Sequence, residues 1–215
     1  MSEQEKSDEW RDANWPRKGD KLFGPGADWR SIARLEQWGH GFSLYADGYK
    51  KAADIIVQKV AETGWDQDYL VYPVCFLYRH YIELRLKELI DLGRRLFNSN
   101  RGFPETHRID ALWSECRPLL EKAFPRGDKT DLDAIQACIH EFASVDPKSE
   151  SFRYPKDKEG KPTLDGLKEI ELRNLGRVMN RLAGLLDGSV YSMLEMIQLE
   201  EEILSYYGPD LDYYA

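Results

Sequence analysis

Arg79, His80, Glu83 and Lys87 fall within one apolar stretch, Tyr72 to Ile90, and their types and spacing suit proton transfer or phosphate binding. At 3.6 residues per turn the four share an arc of about a quarter turn. His80 can titrate near neutral pH, Glu83 can hold its tautomer and raise its pKa, and Arg79 carries a planar fork that matches phosphate oxygens. Lys87, four residues after Glu83, either extends a cationic pocket or makes an ordinary ion ladder on a solvated face; the spacing is consistent with both. The other arc holds Leu77, Tyr78, Tyr81, Ile82, Leu86, Leu89 and Ile90 at i, i+3, i+4 spacing, which predicts a helix central to its domain.

The elements that would position these groups follow from the same periodicity. Residues 1–27 are polar, with Trp10 and Trp15 among prolines and glycines, and read as an irregular arm. A first helix is predicted from Trp29 toward Gly39-His40-Gly41, and beyond that break Phe42, Tyr45, Tyr49, Ala53 and Ile56 repeat at helical spacing to about Thr63. The charged helix spans about Tyr69 to Phe97, with Pro73 in its first turn, where the missing N–H costs little. A third follows Thr106 and is bent or shortened at Pro118; a fourth is capped by Thr130 and stops before Pro147. The connection from Ser144 to about Thr163 is the longest, and long loops in compact domains are commonly functional. A fifth helix is predicted from Leu164 to Leu186, with a break at Gly188-Ser189 before a last segment to about Tyr206. The fold class is therefore all-α, a helical bundle of about five helices over residues 28–188, with an acidic, Tyr-rich helix and tail at 189–215.

The chain has 215 residues, 42% hydrophobic and 32% charged, which is the composition of a globular protein with one core. No apolar run reaches a membrane span and the N-terminus is charged, so no membrane association and a cytoplasmic location are expected. Cys75, Cys116 and Cys138 are odd in number and far apart, and the four histidines, His40, His80, His107 and His140, are dispersed. Neither a disulfide nor a metal site is expected. No glycine-rich phosphate loop or nucleophile elbow occurs, so no cofactor is implied. After Arg181 there are seven acidic residues and no Lys or Arg, so residues 1–181 carry only −1 of the net −8. That body has room for local basic patches, among them Arg153, Lys156, Lys158 and Lys161, and Arg173, Arg177 and Arg181. The acidic end could be a solvated tail, a partner-binding strip or a polyanion mimic covering the basic loop.

Three segments in order, RHYIELRLKELI, THRIDALW and SFRYPKD, together resemble the HEPN family of prokaryotic helical domains. Within them Glu83 and Lys87 match the charged pair of the family's second helix, Thr106-His107 its next helix opening, and Arg153-Tyr154-Pro155 the element before its last core helix. The resemblance covers roughly Tyr45 to Leu186. It implies an RNA-binding protein or metal-independent endoribonuclease, homodimeric, in antiviral defence or a toxin–antitoxin pair, with an antitoxin or other defence component as protein partner. Active members of the family carry an Arg and, four to six residues on, a His at the start of the last core helix. Here no His follows Arg153, and the Arg-x5-His spacings at Arg34–His40 and Arg101–His107 fall at helix breaks.

Cleaving RNA without a metal takes a base for the 2′-OH proton and fixed positive charge for the phosphorane-like transition state. The expected catalytic residues are Arg79, His80 as base, and Glu83; the expected RNA-binding residues are Lys87, Arg153, Tyr154 and Lys156. Because an unpaired carboxylate against a packed helix is costly, the loop is expected to bring Arg153 or Lys156 to Glu83. His107 reads as a structural cap. The alternative, which the missing His favours, is a non-catalytic helical adaptor that holds a partner protein.

Overall fold

A computed structural model describes residues 15–35, 41–97 and 102–211, with side chains as far as 206. The chain divides into two units between residues 39 and 40. In the first, residues 15–35 form turns and bends without a helix, so the helix expected from Trp29 is absent over 29–35. The reason is local: Asp28 accepts from the Arg30 N–H and, through its carbonyl, from the Ser31 hydroxyl, and these bonds hold a turn where a helix would begin. The rest of that expected helix, together with His40, lies outside the described residues.

The second unit is an all-α bundle of five helices: α1 Gly41–Thr63, α2 Gln67–Leu96, α3 Ile109–Ala123, α4 Lys129–Val145 and α5 Leu172–Leu211. Among the described residues there is no strand, only a bridge between Lys156 and Pro162. Helix α2 is central and packs against α1, α3 and α5, while α3 also packs against α4. Of the arc read from the periodicity, Tyr78, Tyr81, Ile82, Leu86, Leu89 and Ile90 are buried and Leu77 is partly buried. Gly93 sets how closely α3 approaches, since a Cβ there would lie 2.9 Å from Leu119 Cβ. Arg85 clamps the other side: it pairs with Asp47 on α1, with Glu88 at 2.5 Å and with Asp187 on α5 at 2.8 Å.

Several local expectations change. Helix α2 begins two residues early, at Gln67 after Asp66 in the left-handed region (φ 71°), so Pro73 sits beyond the first turn. It is tolerated because it is exposed, and so is Tyr69, whose carbonyl would have taken the missing bond. Asp128, not Thr130, caps α4, accepting the Thr130 N–H at 2.8 Å. Helix α3 runs through Pro118 to Ala123. The connection before α5 is longer than expected and ends at Glu171, because Gly166 takes φ 86° within a turn that interrupts the Leu164–Ile170 spacing.

Gly188-Ser189 is not a break, and the segment expected to stand apart is the continuation of α5, about 60 Å long at 1.5 Å per residue. A helical glycine costs only about 1 kcal/mol, whereas burying Val190, Met193 and Ile197 contributes about 1.5–3 kcal/mol each. Truncation after Gly188 is therefore expected to unfold the bundle, while truncation after Gln198, beyond the last buried residue among those described, leaves the melting temperature nearly unchanged. A melting curve of each truncated chain checks this, and equal melting temperatures would refute the assignment of these residues to the core. Any test of the acidic end as a polyanion mimic must use the shorter truncation.

Candidate functional site

Glu83 lies at the centre of the charged stretch and is 1% exposed. Its own helix supplies two partners: Arg79 Nη1 at 3.3 Å and Lys87 Nζ at 2.9 Å, one turn before and one turn after. The third comes from the turn before α3, where His107 Nδ1 lies 2.8 Å from Glu83 Oε1. Burial alone would raise the Glu83 pKa, but hydrogen bonds from Lys87 and His107, with their charges, more than offset it and hold the carboxyl below its ordinary value. An ionised carboxylate only accepts, so His107 Nδ1 carries the proton and donates it. In the neutral tautomer so fixed, Nε2 is the nitrogen left to take a proton. The His107 side chain is 74% exposed, and Nε2 makes no hydrogen bond to a described residue.

Arg79, fully buried, ties this arrangement to the rest of the bundle. Its Nη2 donates to the His107 carbonyl at 2.8 Å and fixes the turn that presents the imidazole. Its Nε donates to the Asp146 carbonyl at 2.9 Å, at the end of α4. Asp146 Oδ2 is 3.4 Å from the same Nε and has no hydrogen bond of its own, so that contact is ionic. Asp146 Oδ1 accepts the Glu150 and Ser151 N–H groups at 2.8 and 3.0 Å, which folds the start of the long loop. Arg79 thus positions His107 and the loop without reaching solvent.

The expected approach of Arg153 or Lys156 to Glu83 does not occur. Glu83 is already paired with Arg79 and Lys87 and accepts from His107, which leaves the loop's cations no free carboxylate to seek. Arg153 is exposed, donates to the Ser149 carbonyl at 2.5 Å, and lies over the rings of Phe76 at 5.6 Å and Tyr154 at 5.3 Å. Tyr154 is exposed, and Lys156 is exposed in the bridge with Pro162.

Glu83 makes no hydrogen bond to His80, whose ring packs edge-on to Tyr49 at 4.5 Å and stacks on Phe76 at 5.8 Å. Burial between these rings lowers its pKa, and Lys87 and Arg79 add to that against the opposing pull of Glu83. Its ring is therefore neutral and half-buried at pH 7.

His107 is the residue that sequence reasoning set aside. It does not cap α3: Thr106 Oγ1 forms that turn by accepting the Arg108 N–H at 3.2 Å. The Thr106-His107 pair was visible, but its carboxylate partner lies on another helix. Around the Glu83–His107 pair, rings and cations alternate. Lys87 Nζ is 5.9 Å from the Phe103 ring, which meets Phe42 edge-on at 5.0 Å, and Phe76 carries His80 and Arg153.

Among the described residues no group of three His, Cys, Asp or Glu side chains is placed to hold a metal, and no helix is long and apolar enough to cross a membrane. Cys75 and Cys116 are buried thiols, Cys75 pushed up to about 12 by burial and by the Asp146 charge. His140 is exposed on α4. Comparison of the chain with protein-family models, curated proteins and solved structures finds no match.

Proposed function

We propose that this protein binds single-stranded RNA and cleaves it without a metal, His107 acting as the base. The observation that carries this is the exposed imidazole whose Nδ1–H is held by a buried, ionised Glu83. A carboxylate behind an imidazole fixes its tautomer and stabilises the imidazolium that forms on proton transfer. His107 Nε2 takes the 2′-OH proton, the 2′-oxygen attacks the adjacent phosphorus, and the 5′-oxygen leaves and is protonated from solvent. The products are a 2′,3′-cyclic phosphate and a 5′-hydroxyl. The exposed Phe103 ring near Lys87, and the exposed Arg153–Tyr154 pair of the loop, suit unstacked bases and phosphates. The HEPN resemblance points the same way, including the homodimer and the defence or toxin–antitoxin setting.

Incubation of the full chain with single-stranded RNA and a chelator, followed by end-group analysis, tests the proposal. Cleavage leaving 2′,3′-cyclic phosphates is expected; intact RNA, or cleavage that the chelator stops, would overturn it. Partner binding without catalysis is favoured by a different observation, the exposed Leu199, Ile203, Leu204 and Tyr206 on the end of α5. A second copy of the chain or a defence partner covering that end would bury them. Light scattering with and without residues 199–215 tests this, and an unchanged mass would refute a homodimer through this end.

A further inference from the structure

Arg173, Arg177 and Arg181 stand one above another on α5, spaced four residues apart, along an open groove between α1 and α5 of about 660 Å³. We propose that this groove is a second nucleic-acid site that holds a single RNA strand by its phosphates; the inference rests on the RNA-binding reading above.

These three arginines share a lack of carboxylate partners. Arg79, Arg85, Arg94, Arg95, Arg108 and Arg117 each pair with an acidic side chain. None of the groove arginines pairs with a described acidic side chain, although the chain carries a net −8. Arg173 donates to the Ala61 carbonyl at 2.7 Å and Arg177 to Asn174 Oδ1 at 2.6 Å, both neutral acceptors, and Arg181 has no partner among the described residues. From Leu172 to Leu186 the helix has no Asp or Glu at all.

The one acid lining the groove, Asp54, is already neutralised. It pairs with Lys50 Nζ at 2.7 Å and accepts the Tyr78 hydroxyl at 2.7 Å, and Lys50 also reaches Asn180 across the groove at 2.6 Å. At the floor, Gly176 lets the helices close: a Cβ there would sit 3.0 Å from Val57 Cγ1. The groove is thus uniformly cationic on the α5 wall, polar at Gln58 and Asn180, and open to solvent along its length.

Four residues of helix rise about 6 Å, so the three arginines leave α5 at a step comparable to the distance between successive phosphates of an extended strand. Arginine presents a bidentate fork to each phosphate. A row of charges recurring along an extended strand is what a phosphodiester chain presents, and the arginine spacing favours it.

The test uses the full chain and a fluorescein-labelled 2′-O-methyl oligouridine, which cannot be cleaved, with anisotropy read across a salt titration. Each phosphate contact to a single strand contributes about −0.7 to the slope of log K against log salt. Arg177→Ala with Arg181→Ala should therefore reduce the slope by about 1.4 and weaken binding about 25-fold at 0.1 M salt, with the difference vanishing near 1 M. Both side chains are exposed, so the fold should survive, and the paired substitution to Lys should restore most of the slope. Lys148→Ala, an exposed cation outside the groove, should leave it unchanged.

An unchanged slope in the double variant, with the unaltered chain still binding RNA, overturns the groove and leaves the proposed function standing. Tighter binding to duplex DNA than to the single strand overturns the assignment of the strand. A chain that binds no RNA at any salt overturns both. Normal salt dependence with no cleavage of ordinary RNA supports the groove and removes the catalytic reading alone.

Discussion

Glu83→Ala is expected to lower the melting temperature by about 10 °C. The carboxylate is the shared partner of Arg79, Lys87 and His107, and two of these are buried cations. Removing one partner of a buried ion pair costs about 3–5 kcal/mol, because the charge left behind stays desolvated. For a chain of this size each kcal/mol shifts the melting temperature by about 2–4 °C. Arg79 keeps the Asp146 carbonyl and carboxylate, which limits its share of the loss. Lys87 has no other carboxylate among its described contacts. Glu83→Gln keeps the shape but not the charge and should fall between.

The same group gives a pH signature with a definite sign. The folded Glu83 pKa lies below its ordinary value, so the unfolded chain binds the proton more readily. Its contribution is fully present above the ordinary glutamate value of about 4.3 and is lost as pH falls through the lowered folded value. The acid limb of the stability curve should therefore be shallower in Glu83→Gln. If Glu83→Ala melts within a degree or two of the unaltered chain, the carboxylate is not the keystone of this cluster.

The periodicity of α2 was legible because each apolar residue at helical spacing meets a neighbouring helix, and burial is what that spacing encodes. The start of α5 was not. Leu164, Leu167 and Ile170 repeat like a helix, yet the backbone at Gly166 is left-handed and the segment turns before Leu172. The opposite error arose at Gly188, where a local breaker is overridden by the burial of residues beyond it. At the site, the Glu83–Lys87 bond follows from helix geometry and could be read directly. The His107 contact could not, since it joins residues 24 apart in the chain across two elements. His80 is nearer to Glu83 in sequence and reads as the base, but on α2 its ring lies against Tyr49 and Phe76.

That choice between two histidines yields the second large effect: His107→Ala should reduce RNA cleavage by about 10²–10⁴-fold, the usual contribution of a general base. His80→Ala should leave cleavage within several-fold of the unaltered chain, because its ring is held by aromatic contacts and is not aligned by Glu83. Loss of the His107 ring removes little packing, being largely exposed, and Glu83 retains Lys87 on the same oxygen and Arg79 on the other. Its melting temperature should accordingly stay close to normal, which separates it from Glu83→Ala. His107→Gln refines the test: an amide N–H can still donate to Glu83 and hold the turn, but no nitrogen remains to take a proton at neutral pH. This variant should bind uncleavable RNA with near-normal affinity and cleave ordinary RNA no better than His107→Ala. If it cleaves normally, His107 serves only to hold the turn. If His80→Ala is the inactive variant while His107→Ala cleaves, the base is the half-buried ring on α2, and the Glu83–His107 bond is part of the scaffold alone.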